Sequence, residues 1–354
     1  MPCARLSGSL CPLRLEDTMT PLSHLRLLPC ITVAFLAAGT AHAQSSVRLY
    51  GIIDVYVGSM KTSGGERMSQ VNSGGMTTSY FGIAGQEDLG QDLKAIFALE
   101  GYLRANTGES GRYPGDTMFS RAAYAGLASE RLGTVRLGRI GTPLFTNTLL
   151  FNPLGGSFGF SPAIRNIFSP GTLSGDSAWN SAVAYSTPKF GGLSGELIYG
   201  TKGTDANGRT NVGGGLSYRE GAFSIGVAAQ QVKSGFATGE ENTWQIGTAY
   251  DFGVAKVFLS YTSIREGDTG SLNADTHDKI GQVGLSAPVG PGSVLVSYSR
   301  DRVTGAQDYW RDVATVGYDY RLSKRTDLYA MVMRDKISDE SQGMSYALGM
   351  RHAF

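Results

Sequence analysis

Cysteine is almost missing from this chain. The 354 residues hold three, Cys3, Cys11 and Cys30, so everything after residue 30 can form neither a disulfide nor a thiolate metal site. Charge is also scarce, at 17% of residues against about 25% in ordinary soluble domains. Long apolar runs are absent after residue 40, which excludes a transmembrane helix and leaves a soluble fold short of core-forming segments. Histidine is rare: beyond residue 43 only His277 and His352 remain. No excess of basic residues exists either, which argues against a nucleic-acid partner.

What is present begins with a leader. Residues 20–43 read TPLSHLRLLPCITVAFLAAGTAHA, with His24 and Arg26 before an apolar run from about Leu27 to Gly39. The small residues Ala41 and Ala43 follow, so cleavage is expected before Gln44. That divides the chain into an upstream extension with a signal peptide (1–43) and a folded part (44–354). Met19 offers an alternative start, and a buried N-terminal helix is the bland alternative for the apolar run. The leader holds Arg5, Arg14 and Arg26 with Glu16 and Asp17, which leaves 28 residues of each sign in the folded part.

That part is rich in glycine, 49 in the whole chain, about twice the usual 7% share. Its apolar residues recur with period two. In Val47–Val57 one face carries Val47, Leu49, Ile53, Val55 and Val57, and the other Arg48, Tyr50, Asp54 and Tyr56. The pattern returns at Asp92–Arg104 and ten more times from Leu193 to Phe354, ending in Met344–Phe354. About ten alternating residues is the length of a tilted membrane strand. Short Gly/Pro-rich turns alternate with longer polar loops, seven and eight of them, which predicts sixteen antiparallel strands. A barrel that wide leaves a water-filled interior. The fold class is therefore all-β, a transmembrane sixteen-stranded antiparallel β-barrel in the outer membrane.

One connection is out of scale. Residues 142–177 lack alternation and hold Pro143, Pro153, Pro162 and Pro170, so a functional loop folded into the lumen is expected there. Within it, Gly155-Gly156-Ser157-Phe158-Gly159 matches G-x-S-x-G. That motif needs a strand–turn–helix and a partner histidine. A chance match in a glycine-rich loop is the simpler reading, and no catalytic residue or cofactor is assigned. Asp268, Asp275 and Asp278 could gather around a divalent cation, but a solvated loop is the simpler reading, since calcium wants about six oxygens.

Taken together in order and spacing, SVRLYGIID (46–54), SYFGIAGQEDLG (79–90), LKAIFALE (93–100), FSRAAYAGL (119–127), GTVRLGRIG (133–141), NSAVAYSTPKFGG (180–192) and the last strand Tyr346–Phe354 resemble the trimeric sixteen-stranded general-diffusion porins of Gram-negative bacteria. The resemblance implies a homotrimer, each barrel a non-enzymatic channel for ions and small hydrophilic solutes. A substrate-selective channel, with Phe145, Phe151, Phe158, Phe160 and Phe168 as an aromatic track, or an outer-membrane hydrolase or adhesin barrel, are the alternatives. It also implies a constriction between basic wall residues and the long loop. Arg121 and Arg139 match wall arginines, while Tyr80 and Trp179 stand where relatives often carry arginine. Arg136, Arg165, Asp54, Glu100 and Lys94 complete the expected pore set. Arg139 points inward only if its strand is bulged or ends there. With Arg165 as the loop's sole base and Asp176 its sole acid, selectivity is expected to be weak and slightly anionic. Tyr346 and Phe354 are expected to act as an assembly signal for the barrel-insertion machinery, and lipopolysaccharide is the expected lipid partner.

Overall fold

A computed structural model describes residues 45–168, 172–203, 206–267 and 275–354; the expected leader and Asp268 lie outside the described residues. The alternating segments form a closed antiparallel sheet. We number its strands β1 (Ser46–Met60), β2 (Met68–Ser73 and Tyr80–Gly90), β3 (Leu93–Arg104), β4 (Glu109–Ser110 and Ala122–Ser129), β5 (Gly133–Gly141), β6 (Ala178–Ser186), β7 (Leu193–Gly200), β8 (Asn211–Glu220), β9 (Phe223–Val232), β10 (Glu241–Asp251), β11 (Lys256–Glu266), β12 (His277–Val289), β13 (Gly292–Thr304), β14 (Tyr309–Arg321), β15 (Thr326–Ile337) and β16 (Gly343–Ala353). β2 and β4 are each interrupted, and both pieces of each pair with one neighbour, β1 and β3 respectively. That makes sixteen strands.

Closure follows from pairing β1 with β16, from Ile52↔Ala353 to Ser59↔Tyr346. Phe354 extends the seam by exchanging backbone hydrogen bonds with Gly51 at 3.1 and 3.2 Å. A closed sheet leaves no unpaired edge in lipid, where each unsatisfied amide costs several kcal/mol. The period-two pattern then sorts the faces. Val47, Leu49, Val57, Leu197, Leu216, Val316 and Leu348 are exposed on the outer face. Thr243, Gln245, Ser297, Ser299 and Thr315 are buried on the inner face. Trp244 and Tyr250 both point outward on β10, six residues or roughly 20 Å apart along the strand, a spacing that suits aromatic girdles at the two edges of an apolar band.

Boundaries differ from the sequence expectation in an ordered way. β12 to β15 run two to four residues further into the long loops than hydropathy suggests, because ladder hydrogen bonds continue through Arg300–Arg302 and Asp335–Ile337 where alternation has already become polar. The β2–β3 reversal sits at Gln91 and Asp92, both with positive φ (52° and 71°), so Gln86–Gly90 belongs to the strand and not to the turn. The Asp92 carboxylate accepts from Ser129 Oγ and the amides of Glu130 and Arg131, which ties two neighbouring turns.

The long connection is not structureless. It holds α1 (Pro143–Leu150) and α2 (Pro162–Ile167). Each opens with a hydroxyl N-cap followed by proline at the first helical position: Thr142 Oγ1 accepts from Phe145 N, and Ser161 Oγ from Ile164 N. Both helices pack on the polar, inner face. Asn147 donates to Gln245 Oε1 on β10 at 2.8 Å, Asn166 to Ser299 on β13 at 3.1 Å, and Thr315 on β14 to Phe160 O at 2.7 Å. Phe160 is fully buried beside Tyr56, Val313, Met331 and Met333. Phe151 seats in a socket left by Gly226 and Gly247, where an added Cβ at either would overlap its ring. One segment thus touches the inner faces of strands on both sides of the barrel, which places it across the lumen.

Candidate functional site

The inner wall of β1 to β5 gathers basic residues. Arg121 stands just before the second piece of β4, its guanidinium 4.2 Å from the Tyr80 ring centroid and 5.7 Å from that of Tyr102. Its Nε lies 2.9 Å from Glu100 Oε2 on β3. Glu100 also accepts from the Tyr50 hydroxyl, and Tyr50 meets Tyr80 edge-on at 6.4 Å. Tyr80, Glu100 and Arg121 therefore form one stacked, charge-paired unit. Arg48 caps it below, 5.0 Å from the Tyr50 ring, and Arg112 above, 5.5 Å from the Tyr102 ring. The result is an alternating arginine–tyrosine column along the wall.

Arg112 has no signal in the sequence that marks it, yet it organises the rim. It donates to Asp116 at 2.9 Å and makes a two-pronged contact to Asp176 at 2.8 and 3.0 Å. Asp176 also accepts from Arg139 at 2.9 Å. Burial pushes the Asp176 carboxyl up, but Arg112, the Ser177 amide and Arg139 outweigh it and hold its pKa at about 2. The loop's single acid is thus a tether at the loop's end rather than a free lumen charge.

The other expected pore residues fall in several places. Arg139 keeps the parity of outward Val135 and Leu137. The register slip lies between Gly138 and Ile140, but its extra residue is on β6, where Ser181 has φ 49°. Arg139 therefore does not swing inward through a bulge of its own strand. It reaches over the strand end, and its guanidinium donates to Ser120 O, Ala178 O, Asn180 Oδ1 and Asp176. Arg136 does point inward, pairing with Glu196 at 2.7 Å near the short-turn end. Lys94, opposite Asp88 in the ladder, borders an internal cavity of about 360 Å³ at that same end. Arg165, on α2, shares Asp335 with Arg311 at 3.2 and 2.8 Å.

Asp54 and Trp179 do not line open space. Asp54 is fully buried: its carboxylate accepts from the amides of Gly75, Met76 and Thr77 and from the Tyr329 hydroxyl. It closes the interruption of β2, a structural task. Trp179 packs against Ile140, Ala182, Ala184, Ile198 and Val232. Ser157 is also buried, donating to Gly75 O at 2.6 Å and accepting from Phe160 N. His277 pairs with Ser263 and His352 with Thr326, so among the described residues no hydrogen bond joins Ser157 to a histidine.

Between the column and the loop lies a cavity of about 410 Å³, bordered by Tyr56, Gln70, Arg104, Arg112, Phe158 and Arg165. The acids on the far wall, Glu241, Glu266, Asp278 and Asp301, are buried. Glu241 accepts from Ser174 N of the loop at 2.9 Å. The open space accordingly meets the guanidinium groups of Arg104 and Arg112 on the wall side and, on the loop side, Phe158 beside Arg165, which pairs with Asp335.

Comparison with known proteins agrees with this architecture. The sequence model of a family described as Gram-negative porin matches residues 31–340. Outer membrane porin protein 32 of Delftia acidovorans is 34% identical over 329 residues, covering 88% of this chain and 90% of that one. The major outer membrane protein P.IB of Neisseria gonorrhoeae is 25% identical, covering 90% and 97%. Among solved structures, an anion-selective porin from Comamonas acidovorans superposes with a TM-score of 0.76 at 28% identity, covering 88% of this chain and all of that one.

Proposed function

The chain belongs to the Gram-negative porin family, and we propose that it is an outer-membrane channel for passive diffusion of ions and small hydrophilic solutes, with a weak preference for anions. One observation carries the reading: a closed wall, apolar outside and polar inside, sets its arginine–tyrosine column facing the inward loop across a cavity of about 410 Å³. Such a path needs no covalent chemistry, only water, width and charge. The preference is weak because most arginines around the cavity already hold a carboxylate: Arg121 with Glu100, Arg112 with Asp116 and Asp176, Arg165 with Asp335. It leans to anions because the opposing acids are buried behind the loop. The assembly is a homotrimer with the long loops facing out of the cell, as the family resemblance implies. Tyr346 and Phe354 are read by the insertion machinery; Phe354 sits at the seam against Gly51, where its loss would open the closure.

Liposome swelling with a size series of neutral and charged solutes tests the reading. A smooth size cutoff, with anions slightly ahead of cations of equal size, is expected. Saturation by one solute would instead favour a substrate-selective channel, for which the clustered Phe145, Phe158 and Phe168 rings, 5.1 to 6.5 Å apart, supply an aromatic face. Marked cation preference in reversal potentials would overturn the charge argument.

A further inference from the structure

A neutral side chain stands beside the wall arginine that faces the lumen. Arg121 lies just before the second piece of β4, and its amide donates to Glu100 O at 3.2 Å. Its side chain is long and flexible, so where the charge sits depends on what holds the guanidinium. Two rings flank it. Tyr80 and Tyr102 are directly opposite in the β2–β3 ladder and share the inner face. The guanidinium lies 4.2 Å from the Tyr80 ring centroid, and its Nη1 donates to the Tyr102 hydroxyl at 3.4 Å. Glu100 competes for the same group, because a carboxylate favours a two-pronged contact with arginine. Its Oε1 already accepts from the Tyr50 hydroxyl, and Arg121 Nε lies 2.9 Å from the other oxygen, Oε2. Gly82 makes room for that arrangement: a Cβ there would lie 3.0 Å from both the Tyr50 ring and the Glu100 stem. The Tyr80 hydroxyl makes no hydrogen bond among the described residues, so the ring is the part of Tyr80 that acts on Arg121.

We propose that Tyr80 is the positioning residue for Arg121, and that its uncharged ring sets the ion preference of the channel by keeping the guanidinium from a two-pronged seat on Glu100. The proposal deepens the channel reading above and rests on it for the ion path. A guanidinium over an aromatic face is attracted by the ring quadrupole, which holds it at the ring. Without the ring, Glu100 is the strongest partner within reach, and the guanidinium settles back onto it against the wall. A charge withdrawn from about 6 to about 9 Å from a passing ion loses about a third of its hold on that ion in a water-like medium. Anions and cations feel the change with opposite sign, so their permeability ratio shifts about twofold. No charge is removed from the chain, which distinguishes this effect from loss of Arg121 itself.

The test compares Tyr80→Leu, with Tyr80→Met as a second ring-free variant, against Tyr80→Phe in the full protein. Reversal potentials across a potassium chloride gradient in planar bilayers give the readout. The anion-to-cation ratio should fall about twofold in both ring-free variants, and Tyr80→Phe should restore the parent value because it keeps the ring. In a Glu100→Gln background the fall should vanish, since no carboxylate remains to draw the guanidinium back. A crystal structure of Tyr80→Leu should show two guanidinium nitrogens of Arg121 on Glu100. A ratio that stays level or rises without the ring, a Tyr80→Phe variant that behaves as Tyr80→Leu, or the same fall in the Glu100→Gln background would overturn the assignment. The channel reading fails separately: absence of current in the parent sinks that reading and the proposal with it, whereas normal current with an unchanged ratio in the ring-free variants sinks the proposal alone.

Discussion

Tyr329 of β15 donates its hydroxyl to Asp54 of β1 at 2.6 Å, reaching across the final strand. It passes over Gly349 of β16, where a side chain would overlap its ring. The barrel seam is therefore fastened twice, by the backbone ladder between β1 and β16 and by a buried side-chain bond over it. The same carboxylate holds three amides of the β2 interruption. Hydrogen bonds to a charged group contribute about 1.5–3 kcal/mol, and an orphaned buried partner costs a similar amount. Tyr329→Phe should lower barrel stability by about 2 kcal/mol, and Gly349→Ala, which displaces the ring, by at least as much. Urea unfolding in detergent micelles, followed by tryptophan fluorescence, measures both. An unchanged midpoint for Gly349→Ala would mean that the seam does not depend on this contact.

The inward loop is held by shape as well as by hydrogen bonds. Gly226 and Gly247 leave the socket that takes Phe151. A methyl group at Gly247 meets the ring itself, so α1 has to lift or the strand has to give. Overpacking of this kind costs about 1–3 kcal/mol. Gly247→Ala should raise single-channel conductance and its noise, because the loop loses its anchor while the barrel wall keeps its ladder. Conductance and noise equal to the parent's would show that the socket does not position the loop.

Charge pairing sets the third expectation. Glu100 neutralises Arg121 at 2.9 Å on the inner wall. A unit charge about 6 Å from a passing ion is worth about 0.7 kcal/mol in a water-like medium, of opposite sign for anions and cations, so it changes each permeability about threefold and their ratio about tenfold. Glu100→Gln should therefore raise the anion-to-cation ratio by up to about tenfold, and Arg121→Gln should lower it by a similar factor. Reversal potentials across a potassium chloride gradient give both. A shift of the same sign in the two variants would contradict the pairing.

The strands were legible because a tilted membrane strand writes its two faces into alternate residues; Leu197, Leu216 and Val316 declare the outer face without help from their neighbours. Arg121 was legible for a different reason, its place at the start of a strand whose motif resembles the family's. The fate of the other site residues depends on tertiary contacts that no local pattern records. Asp54 alternates correctly with Tyr50 and Tyr56 but is buried by a loop insert from Gly75 to Thr77. Trp179 faces inward and is then covered by Ile140 and Val232. Arg139 has the parity of a lipid-facing residue and escapes it only through the strand end. The helices of the long loop were signalled by Thr142-Pro143 and Ser161-Pro162, a cap followed by proline, which a search for alternation passes over.

The loop tether makes a pH prediction with a definite sign. Burial works to raise the Asp176 carboxyl, yet contact with Arg112, the Ser177 amide and Arg139 lowers it from the usual 3.8 to about 2. A carboxyl depressed in the folded state contributes stability that is complete above its unfolded value and lost as pH falls through its folded value. The contribution of Asp176 is thus intact from neutral pH down to about 4, declines between about 4 and 2, and is gone below that. Asp116, which is also held low by Arg112, follows the same direction and reinforces the clamp. Loop-dependent current noise should stay level from pH 7 to about 4.5 and rise only as pH approaches 2. Asp176→Asn removes the charge at every pH, so it should show the raised noise already at pH 7 and little further change on acidification. The difference between parent and variant isolates this residue from other carboxyls that titrate in the same range. If the parent's noise rose with a midpoint near 4, Asp176 would be titrating as an ordinary exposed carboxyl and the clamp by Arg112 and Arg139 would be too weak to hold the loop.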